Sequence, residues 1–443
     1  MLKNKKFRFY AISFCILGII YMFMYSGLQN DQINIIQSYS GWENTATQLP
    51  MTIGNFVCIA LTFLYGTFYM KFGVRKTLIP CIMLSALGCI GIVAADGQFV
   101  NNGEGSYWLF FVSLFVIRCT CMCFQMGGFM LCANWFIRYR GQVMGIITLG
   151  SPLFSVVGTS VMTNLIDTKF GSDYRLFYIG IAVVLALIAL LTRALLRDTP
   201  EEVGLYPDGA DHAPLSEAGE EEDEVHLTVK QVLSEKRAWL LIVSFGAFQF
   251  IISACMGSMA VRFMFLDADW LAAGGMAAPT VWLAATKWLA VGAICGIATS
   301  YLFGLLDDKI GSVKTSFILG ITELIPVIAL WAMPMGGSVG LEILWGFGVA
   351  CMTGGVPTMH PCITASMYGR REYQSANRVI MTIQLIPSAV AAMMMTALIQ
   401  AGKANLAYLI LLIVIIIGLI ATVMMRNIKA ADAADRDFAA QAE

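Results

Sequence analysis

Two short stretches decide the fold: Gly66-Thr67-Phe68-Tyr69-Met70-Lys71-Phe72-Gly73-Val74-Arg75-Lys76 and Gly304-Leu305-Leu306-Asp307-Asp308-Lys309-Ile310-Gly311-Ser312-Val313-Lys314. Their glycines pair at one offset, Gly66 with Gly304 and Gly73 with Gly311, each 238 residues apart. The chain is therefore built twice, with a repeat of about half its length. Each residue type in the pattern has a physical task. Glycine lets two helices approach and lets a turn adopt positive φ. The acid can sit against a neighbouring helix N-terminus, and the cations stay beside lipid headgroups. Such a cluster is a latch that holds one face closed and breaks when that face opens.

Outward from these turns the chain is apolar. Of its 443 residues 58% are hydrophobic and 13% charged, with a mean hydropathy of +0.73. The apolar residues come in blocks of about 20, the length that a bilayer core of roughly 30 Å demands of a helix. A net charge of −1 leaves no basic excess for nucleic acid, which is excluded as a partner. The twelve cysteines all fall inside apolar segments rather than in loops, which argues against a disulfide framework. Cys119, Cys121 and Cys123 alternate sides of a helix and cannot chelate one metal together. Neither a metal nor a cofactor is expected. Basic residues up to Arg8 lead into the first apolar run, and no small-residue cleavage site follows, so this run reads as a retained first helix.

The hydropathy pattern predicts an all-α membrane protein with helices at 9–31, 46–70, 77–97, 107–136, 142–166 and 174–196, then 238–266, 280–306, 315–334, 338–368, 376–401 and 405–426. The predicted organisation is a six-helix bundle over 1–197, a linker over 198–236, a second bundle over 237–427 and a tail over 428–443. Charge asymmetry tests the count. With the N-terminus inside, inner connections hold Lys3, Lys5, Lys6, Arg8, Lys71, Arg75, Lys76, Arg138, Arg140, Lys309, Lys314, Arg370 and Arg371. Outer connections hold Lys169, Arg175 and Lys403. A wrong count would reverse the bias halfway along the chain. Between the halves, Asp198 to Glu224 carries eleven acids and no lysine or arginine, the composition of a flexible tether. Thr228 to Arg237 reads as a short amphipathic helix on the inner membrane surface.

The doubled glycine–acid–base turn resembles the signature loop of the major facilitator superfamily, and the resemblance spans essentially the whole chain. It implies two pseudo-symmetric six-helix bundles that transport by alternating access, with no covalent chemistry. The gating residues it implies are Gly66, Gly73, Arg75, Gly304, Asp308, Lys309 and Gly311. One departure stands out: Met70 occupies the position where the family usually has aspartate, so the first latch is expected to be weaker or differently made. Three further stretches are similar to the oxalate/formate antiporter branch and its monocarboxylate-porter relatives. They are Trp135-Phe136-Ile137-Arg138-Tyr139-Arg140-Gly141, Gly354-Gly355 with Pro361 and Tyr368-Gly369, and Thr199-Pro200-Glu201-Glu202-Val203-Gly204-Leu205-Tyr206-Pro207-Asp208-Gly209. Those relatives carry small organic anions, by exchange or with a proton. Oxalate carriers hold their dianion with two cations, and the matching positions here are Ser300 and Gln384. Without that pair a small dianion has little to offset its dehydration, so oxalate itself is not expected.

Ionisable groups inside spans are costly and mark function. Arg118 lies midway along a long span, too deep to snorkel, and matches an arginine of many proton-coupled family members. Lys287 could hold a carboxylate or snorkel outward, and His360 could bind a carboxylate, carry a proton or be a satisfied core histidine. Glu323, beside Pro326, is expected to make an interhelical hydrogen bond. Tyr25, Gln29 and Gln125 on the cavity-lining helices 1 and 4 complete the expected binding set with Ser300 and Gln384. Pro152 and Pro387 fall at matching points of the two halves and read as flex points.

The leading expectation is a secondary transporter for a small organic anion, a monocarboxylate, in a bacterial-type inner (plasma) membrane with both termini cytoplasmic. Protons or a counter-anion would drive it. A larger amphipathic acid (bile-acid-like or aromatic) or a neutral compound is the alternative cargo. A non-transporting sensor is the rival from another class. It would want an output domain, and the sequence after Arg426 has 17 residues. No nucleophile motif or phosphate loop points to an enzyme. A monomer is the family default.

Overall fold

The computed structural model describes residues 5–28, 44–95, 106–154, 158–169, 174–210, 227–274, 280–428 and 431, with backbone alone at 44–48, 51, 159–160, 162–163 and 167. Gln29 lies outside the described residues, as does most of the acidic run. All regular structure among the described residues is helical. The helices are α1 (Lys5–Ser26), α2 (Asn44–Phe72), α3 (Val74–Ala95), α4 (Tyr107–Trp135), α5 (Arg140–Thr148, Gly150–Leu153 and Thr159–Lys169) and α6 (Tyr174–Leu195). After the linker come α7 (Lys236–Met264), α8 (Thr280–Ile310), α9 (Ser312–Thr322 and Leu324–Ala332), α10 (339–368), α11 (370–400) and α12 (Ala404–Met425). Spans α10 and α11 run on as one helix except at Gly369, whose φ of 72° and ψ of 176° break it. Ten helices among the described residues are long and apolar enough to cross a membrane. Dividing the longest at Gly369 and adding the segmented α5 gives the twelve spans expected.

The chain forms two compact units, one of residues 1–137 and 153–221, the other of 138–152 and 222–443. The first piece of α5 thus packs with the second half of the chain, a departure from a bundle ending at 197. The reason is local. Asp308 accepts hydrogen bonds from the N–H groups of Gly141 and Gln142, both at 2.9 Å, and so caps the start of α5. Gly141 and Gly304 then meet backbone to backbone: a Cβ on Gly304 would lie 2.2 Å from the Gly141 carbonyl oxygen. One turn on, a Cβ on Gly145 would lie 2.7 Å from the Ser300 carbonyl. Close approach of this kind needs small residues at each crossing.

In the first unit α4 is the central helix and packs on α1, α2 and α3. Its stretch from Ile117 to Trp135 is buried at every position except Gln125. In the second unit α10 packs on α8 through Gly292 and Gly346, where a Cβ on Gly292 would sit 2.5 Å from the Gly346 carbonyl. Tyr408, Trp345, Phe263 and Met352 fill the core around it.

The described beginning of the expected tether is folded. Residues 198–210 fold into two tight turns, Pro200–Val203 and Pro207–Gly209, laid across the basic end of the first unit. Asp208 accepts from the Ile137 N–H (3.0 Å), and Trp135 Nε1 donates to the Arg197 carbonyl (3.0 Å). Lys6 donates to the Val203 carbonyl. Prolines and left-handed Gly204 and Gly209 suit such turns, and composition alone hid them behind the acids. The amphipathic helix is also shorter than expected, Val229–Ser234, opened by a capping box between Thr228 and Gln231. It buries Val232 in the second unit, and Glu372 holds its leading edge through the Leu227 N–H (3.0 Å).

Between α7 and α8, Asp267 ties the turn together. Its carboxylate accepts from the Trp270 N–H (3.1 Å), the Thr280 hydroxyl (2.8 Å) and the Val281 N–H (3.1 Å). These bonds, with Thr280 contributing most, lower its pKa from the ordinary 3.8 to about 2. A depressed acid stabilises the fold above its unfolded pKa, and that contribution is lost as pH falls from 3.8 through about 2. Asp267→Ala should therefore lower the melting temperature at pH 7. The gap to wild type should close progressively below pH 4 in thermal melts, and a gap that widens there would contradict the assignment.

Candidate functional site

Each unit holds its own cluster of predicted site residues. In the first, Arg118 sits on α4 and is 7% exposed. Its stem lies over α2 at Gly54, where a Cβ would come within 2.7 Å of Arg118 Cγ. Nε donates to the Asn55 carbonyl oxygen, and Nη1 to Cys121 Sγ at 3.0 Å. The Cys58 and Cys121 thiols in turn donate to the Arg118 carbonyl, at 3.3 and 3.0 Å. Tyr25 of α1, half-buried, is within electrostatic range of the guanidinium. Gln125 lies two turns along the same face of α4 and is the position where that helix becomes accessible.

Among the described residues no Asp or Glu pairs with Arg118, and Nη2 has no protein partner. A guanidinium carries five N–H donors and never loses its charge, so a neutral carbonyl and a thiol leave it uncompensated. An unpaired buried ion costs several kcal/mol, and structures that keep one generally supply a counter-charge. Asn55 is itself exposed, so the pair lies at an accessible edge of the unit. Asn55 and Gly54 went unnoticed in the sequence, although a glycine–asparagine pair inside an apolar span is a legible signal.

In the second unit His360 and Gln384 are brought together. His360 is 8% exposed, its ring meets Phe245 edge-on at 5.6 Å, and Gln384 lies against it. Gln384 Nε2 donates to the Leu241 carbonyl (2.9 Å), while the buried His360 Nε2 has no hydrogen-bond partner among the described residues. Two residues before His360, Thr358 shares a 2.7 Å hydrogen bond with Thr148 of α5. The arrangement places a buried imidazole in an aromatic and amide surround.

Other expected members fall elsewhere. The Ser300 hydroxyl turns back to the Gly296 carbonyl (3.0 Å) inside its own helix, under the crossing with Gly145. Lys287 is exposed and projects from the side of α8 opposite Val281, Ala285 and Gly292, the face that packs. It does not join His360 and Gln384. Glu323 is fully buried in the break of α9, and both its carboxyl oxygens lack a partner among the described residues, so the expected interhelical hydrogen bond is not formed. Pro326 there abuts Gly348, which fills the room a side chain would need.

The glycines of the doubled turn behave as a pair. Gly73 and Gly311 both have positive φ, 82° and 89°, at the turn after α2 and after α8. Lys309 is exposed beside the second turn, and Gly66 is buried in α2. The acid missing at Met70 is replaced from a distance. Asp198 accepts from the Arg75 N–H (2.8 Å) at the start of α3, and its Oδ2 lies 2.2 Å from where a Cβ of Gly73 would be. Arg75 Nη1 reaches the Leu196 carbonyl (3.4 Å) beside it. Burial raises the Asp198 pKa, against the pull of Arg75 and Lys76.

Comparison with known proteins places this architecture. Residues 9–292 match the sequence profile of the Major Facilitator Superfamily. No curated protein matches the chain in sequence. Among solved structures, the E. coli fucose:proton symporter FucP aligns with a TM-score of 0.65 at 14% identity, covering 94% of this chain and 99% of its own. FucP in its outward conformation gives 0.65 at 16% identity with the same coverage. The proton:xylose symporter XylE, bound to 6-bromo-6-deoxy-D-glucose, gives 0.63 at 13% identity, covering 98% and 99%.

Proposed function

We infer that this chain, which belongs to the major facilitator superfamily, is a secondary transporter whose cargo is an organic anion with a single carboxylate. Secondary transport by a multi-pass membrane protein follows from the family itself. The observation that carries the cargo is Arg118, a buried cation with no acid beside it among the described residues. A carboxylate arriving at Nη2 would supply the missing counter-charge in a bidentate or end-on pair. A sugar, the cargo named for the similar symporters, would leave the cation uncompensated, and identities of 13 to 16% carry the fold alone.

One cation suits one negative charge. Ser300 and Gln384 are neutral, and their side chains are engaged by the Gly296 and Leu241 carbonyls, which supports a monocarboxylate over a dianion such as oxalate. Within the first unit, Gln125 and Tyr25 would orient the acid beside Arg118. The anion would move by proton symport or by exchange, across an inner membrane with both chain termini on the cytoplasmic side, as the distribution of lysine and arginine indicates. Purified protein in liposomes preloaded with one acid should show counterflow of labelled monocarboxylates and none of fucose or xylose. Sugar counterflow with no acid counterflow across a broad panel would overturn this reading.

A further inference from the structure

A cavity of about 430 Å³ opens at the basic end of the first unit, between the start of α3 and the end of α6. Arg75, Lys76 and Arg193 line it, with Ile79 and Pro80 as its apolar wall. Of its lining only Arg75 enters the transport reading, as a member of the first latch. Asp198 stands near Arg75 and Lys76 and offsets one charge, so the lining keeps an excess of two positive charges. Lys76 and Arg193 are exposed, and neither has a hydrogen-bond or ion-pair partner among the described residues.

We propose that this cavity is a binding site for the phosphate headgroup of an anionic phospholipid. Three features converge on that ligand. Two free cations from two different helices face one space, which suits a phosphodiester better than a carboxylate of the protein's own. Sequence polarity puts this end at the inner headgroup level, where anionic lipid is held by basic residues. The apolar wall continues into the bilayer: Met83 and Leu87, one and two turns beyond Pro80 on α3, are 42% and 59% exposed, and Leu190, one turn from Arg193 on α6, is 63% exposed. A soluble phosphate would find cations at one side and hydrocarbon at the other. A lipid would satisfy both, with its phosphate on Lys76 and Arg193 and its chains along α3 and α6. Because Arg75 also holds the turn at Gly73 beside Asp198, the lipid would brace the same turn that carries the first latch.

The test uses full-length protein in neutral detergent, titrated separately with phosphatidylglycerol, phosphatidylcholine and inorganic phosphate at equal phosphate concentration. Phosphatidylglycerol should raise the melting temperature by roughly 3 °C or more, with little effect from the other two. In Lys76→Gln/Arg193→Gln the apparent affinity for phosphatidylglycerol should fall roughly tenfold or more, at about one decade or less per cation. Arg193→Lys, which keeps the charge, should retain most of the shift and guards against misfolding of the double variant. Equal shifts from phosphatidylcholine, or an undiminished shift in the double variant, would overturn the site. An equal shift from inorganic phosphate would assign it to a soluble anion instead of a lipid.

Discussion

Arg118→Gln should lower acid counterflow by at least about 30-fold, while the protein still folds and inserts. The reasoning is electrostatic. Removing one partner of a buried, charge-assisted pair costs roughly 2–5 kcal/mol, and each 1.4 kcal/mol is tenfold in affinity. Glutamine keeps a donor for Asn55 and fits beside Gly54, so the packing of α2 on α4 survives. The unliganded variant should be as stable as wild type or more so, because it no longer buries an uncompensated charge. Arg118→Lys should be intermediate, since a lysine keeps the charge but loses the planar fork. A variant that is destabilised and transports normally would identify Arg118 as a structural arginine.

Gly304→Val should be the most damaging single substitution in the second unit. Its new Cβ would lie 2.2 Å from the Gly141 carbonyl oxygen and 2.8 Å from its carbon, so only backbone movement can relieve the clash. Overpacking typically costs roughly 1–3 kcal/mol, and a backbone-to-backbone clash belongs at the upper end. The displacement would also pull Asp308 away from the N–H groups of Gly141 and Gln142. We expect little folded protein and no transport. Gly340→Ala is the control, because nothing lies within 4 Å of its position, and it should melt with wild type. Equal behaviour of the two variants would remove Gly304 from the helix crossing.

The spans and the doubled turn could be read from the sequence because both are local. Twenty apolar residues make a span whatever packs on them, and a glycine that must adopt positive φ shows itself at 73 and again at 311. Arg118 was legible for the same reason, as a charge too deep to reach a headgroup. What escaped depended on residues far apart in the chain. Asp198 stands in for the acid absent at Met70 only because α6 ends beside the start of α3, 123 residues away. The turns at 200–209 read as a tether because acids dominated their composition, while the bonds that fold them come from Trp135 and Ile137. Ser300 aligned with a cargo-binding position, yet its hydroxyl had a carbonyl one turn back available all along. Sequence position alone also put the first piece of α5 in the N-terminal bundle, whereas Asp308 and two glycines hold it in the second unit.

A buried guanidinium awaiting an anion makes one sharp demand, best tested by a matched pair of ligands. A monocarboxylic acid found in the counterflow panel and its uncharged primary amide have nearly the same shape, and their effects on the melting temperature of purified wild type isolate the charge. The acid should stabilise the protein and the amide should not, with both inactive on Arg118→Gln. Equal stabilisation by acid and amide, or an acid effect that persists without the guanidinium, would contradict the account.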